Sequence, residues 1–556
     1  MAQLVPAAPV PVGVPTSGGD VASGSAPGVR ARPRLVLVGL ILAVSMTTID
    51  QTIVSLTAPT IARSLGLSAS GIEWAINAYL LAAAALFQLG GRLSDVFGYR
   101  RMVIVGSALF LAGSIVCGLV PGESAAAGVL IAGRAVQGAG MAAMFPSAVG
   151  LLFVTVPASG RASSMAKFFS ITGAMTALGP ILGSWLAPIN WRLIFFVNVP
   201  LGLAALAALM VAHVPRTRRP ARIDLAGATL SGAGMFLLVF ALQKIGAWGW
   251  GDLRVWTLVA LGLAALVAFV ATQRRAREPL LDLRVFADRA FCLATAAIAF
   301  SSMAFMAVFY FLSVYGQLSL DLPVLHSSEL LFWFFLGFVL AARLGARRFD
   351  RAGLRSVLII GGLLGAAGFG AVAARAGTIG AGADGLTVPL IVAGAGLGYM
   401  FSAASTDMAN RSIDSSFGEV SALTQTMKNL GGALSLAVLT SLVSSRLVTN
   451  LTGAFASFGG TSAQAHQVAD ALGNVTSGSG SSQLAGVPDR IAQLIVTDLR
   501  QGYADAVSWA FIAMAACMGV LVVLGLCYPR DGHRGRDVPV GRDDGSVRSG
   551  RGNDDD

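Results

Sequence analysis

The sequence predicts an all-α polytopic membrane protein: fourteen spanning helices, arranged as two six-helix halves with a helix pair inserted between them. Three observations carry this prediction. Of 556 residues, 55% are apolar and only 12% are charged, whereas a soluble domain carries about 25% charged residues. Apolar runs long enough to cross a bilayer, about 20 residues each, recur along the whole chain. The basic residues between those runs alternate between dense and sparse segments.

The elements follow in order. Residues 1–34 are rich in Pro, Ala, Gly and Ser and close with Arg30, Arg32 and Arg34; this composition reads as a disordered basic leader. No short apolar core with a cleavage site precedes residue 35, so no removable signal peptide is expected. The fourteen runs are 35–57, 72–91, 102–120, 127–150, 163–187, 193–213, 224–245, 255–273, 290–316, 325–342, 356–374, 387–408, 418–445 and 505–528. Residues 35–213 form the first half, 214–289 a linker holding two inserted helices, and 290–528 the second half. Within the second half, 446–504 reads as a long outer loop, and RIAQLIVTDL at 490–499 as a short amphipathic helix on the membrane surface. The tail 529–556 is charged and Gly-rich, and is expected to be disordered.

Orientation follows from arginine and lysine. With the N-terminus in the cytoplasm, inside segments hold 28 basic residues, outside segments 7, and four lie within spans. An even number of crossings then places both termini in the cytoplasm. The formal charge of +11 resembles a nucleic-acid signal, but it tracks membrane sidedness, so nucleic acid is excluded as a partner.

Other function classes are thinly supported. The lysines are Lys167, Lys244 and Lys428, and none follows a glycine, so no Walker A loop exists to cradle a nucleotide. No H-E-x-x-H and no G-x-S-x-G occurs, which leaves an enzyme without a catalytic cluster. Cys117, Cys292, Cys517 and Cys527 all fall in apolar runs and read as packing thiols. No metal and no cofactor is expected.

An internal repeat fixes the architecture. GRLSDVFGYR at 91–100 follows the second run, and ARRFDRAGLR at 346–355 follows the tenth. Arg92 aligns with Arg347, Asp95 with Asp350, Gly98 with Gly353, and Arg100 with Arg355. Gly91 and Gly98 permit a tight turn between packed helices. Asp95 sits among Arg92, Arg100 and Arg101, where it can pair with an arginine or cap a helix N-terminus. A solvated turn obeying the positive-inside rule is the plain alternative.

These residues belong to a larger set. DQTIVSLTAPTIA at 50–62, EWAINAYLLAAAA at 73–85, GRLSDVFGYRR at 91–101, LIAGRAVQGAGMAA at 130–143, LGPILGSWL at 178–186, WRLIFFVNVPLG at 191–202 and Ile223-Asp224-Leu225 together resemble the major facilitator superfamily. They resemble specifically its fourteen-helix drug:proton antiporter branch. The resemblance covers roughly 35–528. It implies a proton-driven exporter of lipophilic, often cationic drugs or antibiotics, working by alternating access in a bacterial cytoplasmic membrane. It also implies that Gly91, Asp95, Gly98, Arg100 and Arg101, with Asp350 and Gly353 in the second copy, form conformational latches. Gly179-Pro180, which interrupts the fifth helix, is linked by the same family to export.

Charges inside spans are costly and mark candidate sites. Asp50 and Arg134 are the candidate proton-coupling pair, with a static buried tether as the alternative. Asp407 and Lys428 are a candidate structural charge pair. Met46, Phe145, Tyr310, Tyr315, Gln317, Glu329 and Phe401 are candidate lining of a substrate cavity. VLHSSELLFWFFLGF at 324–338, which contains Glu329, departs from the family pattern. The expected partners are a lipophilic small molecule, protons and membrane lipid, with the chain monomeric. A dedicated exporter of one endogenous antibiotic, siderophore or lipid is the alternative. A non-transporting membrane sensor is disfavoured by the retained Asp50 and Arg134.

Overall fold

The computed structural model describes residues 33–121, 126–157, 160–212, 214, 223–322, 324–377, 384–412, 416–457 and 489–530. Among them, thirteen helical stretches are long and apolar enough to cross a membrane. One of these runs for 48 residues. At 1.5 Å per residue it would be about 72 Å long, over twice the thickness of the hydrocarbon core. It is in fact two helices: Gly353, at φ 69° and ψ 177°, interrupts the stretch Val324–Ala376. The described residues therefore hold fourteen helices of spanning length.

The helices are α1 (Pro33–Leu65), α2 (Ala69–Phe97), α3 (Tyr99–Gly118), α4 (Ala126–Thr155), α5 (Arg161–Asn190) and α6 (Leu193–Val211) in the first half. The inserted pair is α7 (Leu225–Trp248) and α8 (Leu253–Gln273). The second half holds α9 (Arg289–Leu318), α10 (324–352), α11 (354–376), α12 (Thr387–Asn410), α13 (Phe417–Ser457) and α14 (Asp489–Cys527).

The same packing recurs in both halves. In the first, α4 packs on α2 and α3, and α1 on α5 and α6; in the second, α12 packs on the α10–α11 hairpin and α9 on α13. Small residues set the closeness. A Cβ on Gly138 would lie 2.3 Å from the Tyr79 carbonyl oxygen, and one on Gly394 1.9 Å from that of Phe334. These are the α2–α4 and α10–α12 contacts, at equivalent places in the repeat. The halves meet where α2 packs on α13, and α5 on α10 and α12.

The inserted pair packs on itself, and α7 seats against both α2 and α13. Lys244 of α7 pairs with Glu73 of α2 at 2.6 Å. Asp224 caps α7, accepting from the Gly227 amide at 2.9 Å, and also accepts from Gln273 Nε2 at 2.6 Å. That dual role gives the Ile223-Asp224-Leu225 segment a structural cause: one side chain starts α7 and holds the end of α8.

Two expectations need correction. The repeat segments at 91–100 and 346–355 are helical except at Gly98 and Gly353, so Gly91 takes no part in the turn. Helix α2 continues to Phe97 and α3 begins at Tyr99, so the turn is Gly98 alone, at φ 96°. Gly91 lies inside α2 and contributes contact, not a turn. The segment 490–499 is not a separate surface helix. It is the first part of α14, and α13 likewise runs on to Ser457. Much of the expected outer loop is thus helix, while 458–488 lies outside the described residues, as do 1–32 of the leader and the tail beyond 530.

Candidate functional site

Asp50, on α1, is fully buried, and Arg134 of α4 is 1% exposed. Arg134 Nη1 donates to Asp50 Oδ2 in a direct ion pair. The other carboxylate oxygen accepts from Asn198 Nδ2 at 2.8 Å and Gln137 Nε2 at 3.0 Å. Both amides also lie within hydrogen-bonding distance of Ser114 Oγ, at 3.0 and 2.7 Å. Arg134 further donates to the Ala75 carbonyl at 3.3 Å and to Gln137 Oε1 at 2.8 Å. Its guanidinium lies over the Tyr79 ring, 4.5 Å from the centroid.

Every element of the first half except α5 supplies a group to this site. The pair is a charge-assisted contact inside a shell that satisfies the remaining oxygen. Breaking such a pair by removing one partner costs about 3–5 kcal/mol, because the other charge is left buried.

A second centre lies at one end of the bundle. Asp95 is buried, and its two carboxylate oxygens accept the backbone amides of Gly418 at 3.1 Å and Glu419 at 3.0 Å. The carboxylate caps a helix, and the capped helix belongs to the other half. The N-terminus of α13 offers unsatisfied N–H groups and a positive dipole end. Tyr99 OH donates to Asp95 Oδ1 at 2.5 Å. A Cβ on Gly91 would meet the Gly418 carbonyl oxygen at 2.5 Å, so only glycine permits this approach. Glu419 accepts from the Asp282 amide, which joins the cap to the segment leading out of α8.

The other motif residues separate by role. Arg100 donates to the carbonyls of Leu209 at 3.1 Å and Met210 at 3.0 Å, capping the C-terminus of α6. Arg101 is exposed, and so is Asp350. The repeat is therefore geometric at Gly98 and Gly353 but unequal at the acidic position. Arg161 of α5 approaches Asn410 of α12 at 3.4 Å and lies over Phe153 and Phe417. This adds a second bond across the halves at the same end.

Gly179 and Pro180 lie within α5. A Cβ on Gly179 would fall 1.9 Å from Thr52 Oγ1. The Thr52 and Thr48 hydroxyls lie 3.1 and 3.2 Å from the Thr176 and Thr172 carbonyls. The motif thus seats α5 on the part of α1 that carries Asp50.

The expected Asp407–Lys428 pair does not form. Asp407 Oδ2 accepts from Arg411 Nε at 2.8 Å and from Tyr528 OH at 2.5 Å. Arg411 also reaches Asp288 at 2.6 Å. Burial, followed by the Asp407 charge, pushes the Tyr528 phenol above its ordinary range, so it stays a donor. Arg411 stands one turn beyond Asp407, where side chains four residues apart are neighbours. Lys428 lies instead with Nζ 4.0 Å from the Phe169 ring centroid and 4.4 Å from that of Phe401.

The cavity candidates divide as well. Met46, Phe145 and Phe401 are buried, and Phe145 and Phe401 both pack on Phe169. Tyr315 is turned into the second half, donating to the Ala376 carbonyl at 3.2 Å. Gln317 bonds back to Ser313 of its own helix, and Tyr310 packs edge-on against Phe311. Glu329 is exposed near the start of α10.

Sequence reasoning missed Gln137, Asn198, Ser114 and the Gly418-Glu419 amides. The first two lie inside the quoted segments at 130–143 and 191–202, as uncharged amides at membrane depth. That was the available signal, passed over in favour of charges.

Comparison with known proteins agrees with this architecture. Residues 40–436 match the family model of the Major Facilitator Superfamily. The tetracenomycin C resistance and export protein of Streptomyces glaucescens is 32% identical over 430 residues, covering 77% of this chain and 79% of that protein. The puromycin resistance protein pur8 of Streptomyces alboniger is 31% identical over 431 residues, covering 77% and 84%. Among solved structures, the human organic anion transporter MFSD10 superposes with a TM-score of 0.57 at 14% identity, covering 89% of this chain and 98% of that one; this likeness is one of fold. With fourteen helices of spanning length among the described residues, a repeated hairpin and a family match over most of its length, the chain belongs to the major facilitator superfamily.

Proposed function

We propose that this protein is a proton-coupled efflux transporter, exporting lipophilic drugs or antibiotics across a bacterial cytoplasmic membrane by alternating access of its two halves. The observation that carries the reading is the buried Asp50–Arg134 pair with its amide shell. An intramembrane carboxylate whose partner has other acceptors at hand is suited to taking up and releasing a proton. Relatives named for resistance to, or export of, tetracenomycin, puromycin and cephamycin support small-molecule export. Their names equally support a dedicated exporter of one antibiotic.

One proton entering through 100 mV supplies about 2.3 kcal/mol. A further pH unit supplies about 1.4 kcal/mol. Together these sustain a gradient of roughly several hundredfold for a neutral substrate per proton, with no cofactor and no nucleotide. The distribution of basic residues supports a cytoplasmic position for both termini; in that orientation the Asp95 contact with α13 closes the cytoplasmic side.

Everted vesicles loaded against a dye and antibiotic panel test the reading. Uphill uptake that collapses with an uncoupler is expected, and its breadth across the panel separates multidrug from dedicated export. Uptake indifferent to the uncoupler would overturn the coupling.

A further inference from the structure

Lys428 stands apart from every other charge in the described bundle interior. It is 5% exposed, and its ammonium nitrogen has no hydrogen-bond partner. Its surroundings are two phenylalanine faces, Phe169 from α5 of the first half and Phe401 from α12 of the second. Cation–π contact returns part of the cost of burying an ammonium, but an unpaired charge at membrane depth remains expensive without a partner. Arg134, at similar burial, has a carboxylate, two carbonyl-type oxygens and a ring.

The lysine is not isolated on its own helix. Ser421 Oγ and Gln425 Oε1 are also buried without partners. Positions 421, 425 and 428 share one face of α13, so a stripe of three unsatisfied polar groups ends at Lys428. Lys428 lies eleven residues from the start of α13, about 17 Å along its axis from the Asp95 cap. That is near the bilayer centre and between the halves. Around it, rings from both halves interlock: Phe169 with Phe401 at 5.6 Å, Phe401 with Phe305 at 5.1 Å and with Phe338 at 6.0 Å. Aromatic faces that meet across the division between the halves are the surfaces that alternating access would part.

We propose that Lys428 is a substrate-binding residue, and that with Phe169 and Phe401 it forms a subsite for flat aromatic molecules bearing an anionic oxygen, such as a carboxylate or an acidic phenolate. The ammonium pairs with the oxygen, the rings take up the aromatic body, and Gln425 and Ser421 are placed to bond adjacent polar groups. A lipophilic cation would meet an unpaired ammonium at the same place and is rejected there. The proposal rests on the export reading for its setting between the two halves, but binding needs no proton gradient.

The test uses the full-length protein purified in nanodiscs, with 1-pyrenebutyrate, its uncharged amide and the matched trimethylammonium as fluorescent probes, against empty nanodiscs. Wild type should bind the carboxylate at least tenfold more tightly than the amide, and the ammonium most weakly. Lys428→Arg should keep the preference. Lys428→Gln and Lys428→Met should abolish it. Equal binding of carboxylate and amide by the wild type overturns the proposal, and this comparison needs no variant to fold. A preference that survives in Lys428→Met, or one for the ammonium probe, overturns it too. Intact selectivity in a protein that moves nothing uphill would count against the export reading alone.

Discussion

The carboxylate of Asp95 lies 3.1 Å from the backbone amide of Gly418, a residue 323 positions further along the chain. The start of α13 supplies both the donors and the positive dipole end for this contact. Asp95→Asn keeps the shape but loses the charge and one acceptor of an amide proton. The expected cost is about 0.5–2 kcal/mol, borne only by the conformation in which this end is shut. A cysteine at position 421, in a background lacking the four native cysteines, should then react with a water-soluble maleimide about 2–30-fold faster. Unchanged reactivity would show that the cap does not hold this end.

The Asp50–Arg134 pair should behave as a unit. Asp50→Asn or Arg134→Gln alone should each lower stability by about 3–5 kcal/mol, read as a lowered midpoint of thermal unfolding in detergent. The double variant should recover a large part of that loss, because no unpaired charge remains. Additive losses would mean that the two side chains are not energetically coupled. Asp50→Asn should also abolish uphill efflux even where enough folded protein reaches the membrane.

Asn198 holds one oxygen of Asp50 from α6. Asn198→Leu should cost about 1–3 kcal/mol and move the pH profile of efflux without abolishing it. A pH profile identical to wild type would place Asn198 outside the proton chemistry.

Gly98 and Gly353 each form a complete interhelical turn at positive φ. Alanine at either position should cost about 1–3 kcal/mol, while Gly519, whose Cβ position is open, should accept alanine within about 0.5 kcal/mol. Equal melting of all three variants would refute the assignment of these turns as glycine-dependent.

Gly179→Val would place two methyl groups where Thr52 stands. Expression and membrane insertion should persist, since the change separates two helices without unfolding either. Efflux should fall at least tenfold, measured as dye retention in whole cells.

Much of the bundle was legible because bilayer thickness and charge sidedness act on long windows of sequence. Fourteen runs and a hairpin repeat are coarse signals, and Gly98 with Gly353 aligned before any geometry was known. What failed was finer. The helix ends at Phe97, Ser457 and Asp489 lie beyond the apolar runs, because polar residues continue a helix that emerges from the membrane. The Asp407–Lys428 pairing failed because opposite charge and similar depth say nothing about azimuth. Arg411, outside the apolar run, occupied the carboxylate first. Asn198 was overlooked because an amide carries no formal charge, although at membrane depth a single amide can position a carboxylate.

Helix α2 touches both centres. Near one end, Ala75 and Tyr79 contact Arg134; near the other, Asp95 grips α13. Sixteen residues separate Tyr79 from Asp95, about 24 Å of uninterrupted helix, and the one-residue turn at Gly98 ties that end firmly to α3. A rod of this kind has little freedom to bend and much to tilt. Any displacement of Arg134 that tilts α2 is therefore carried, by leverage alone, to the clasp at the helix's other end.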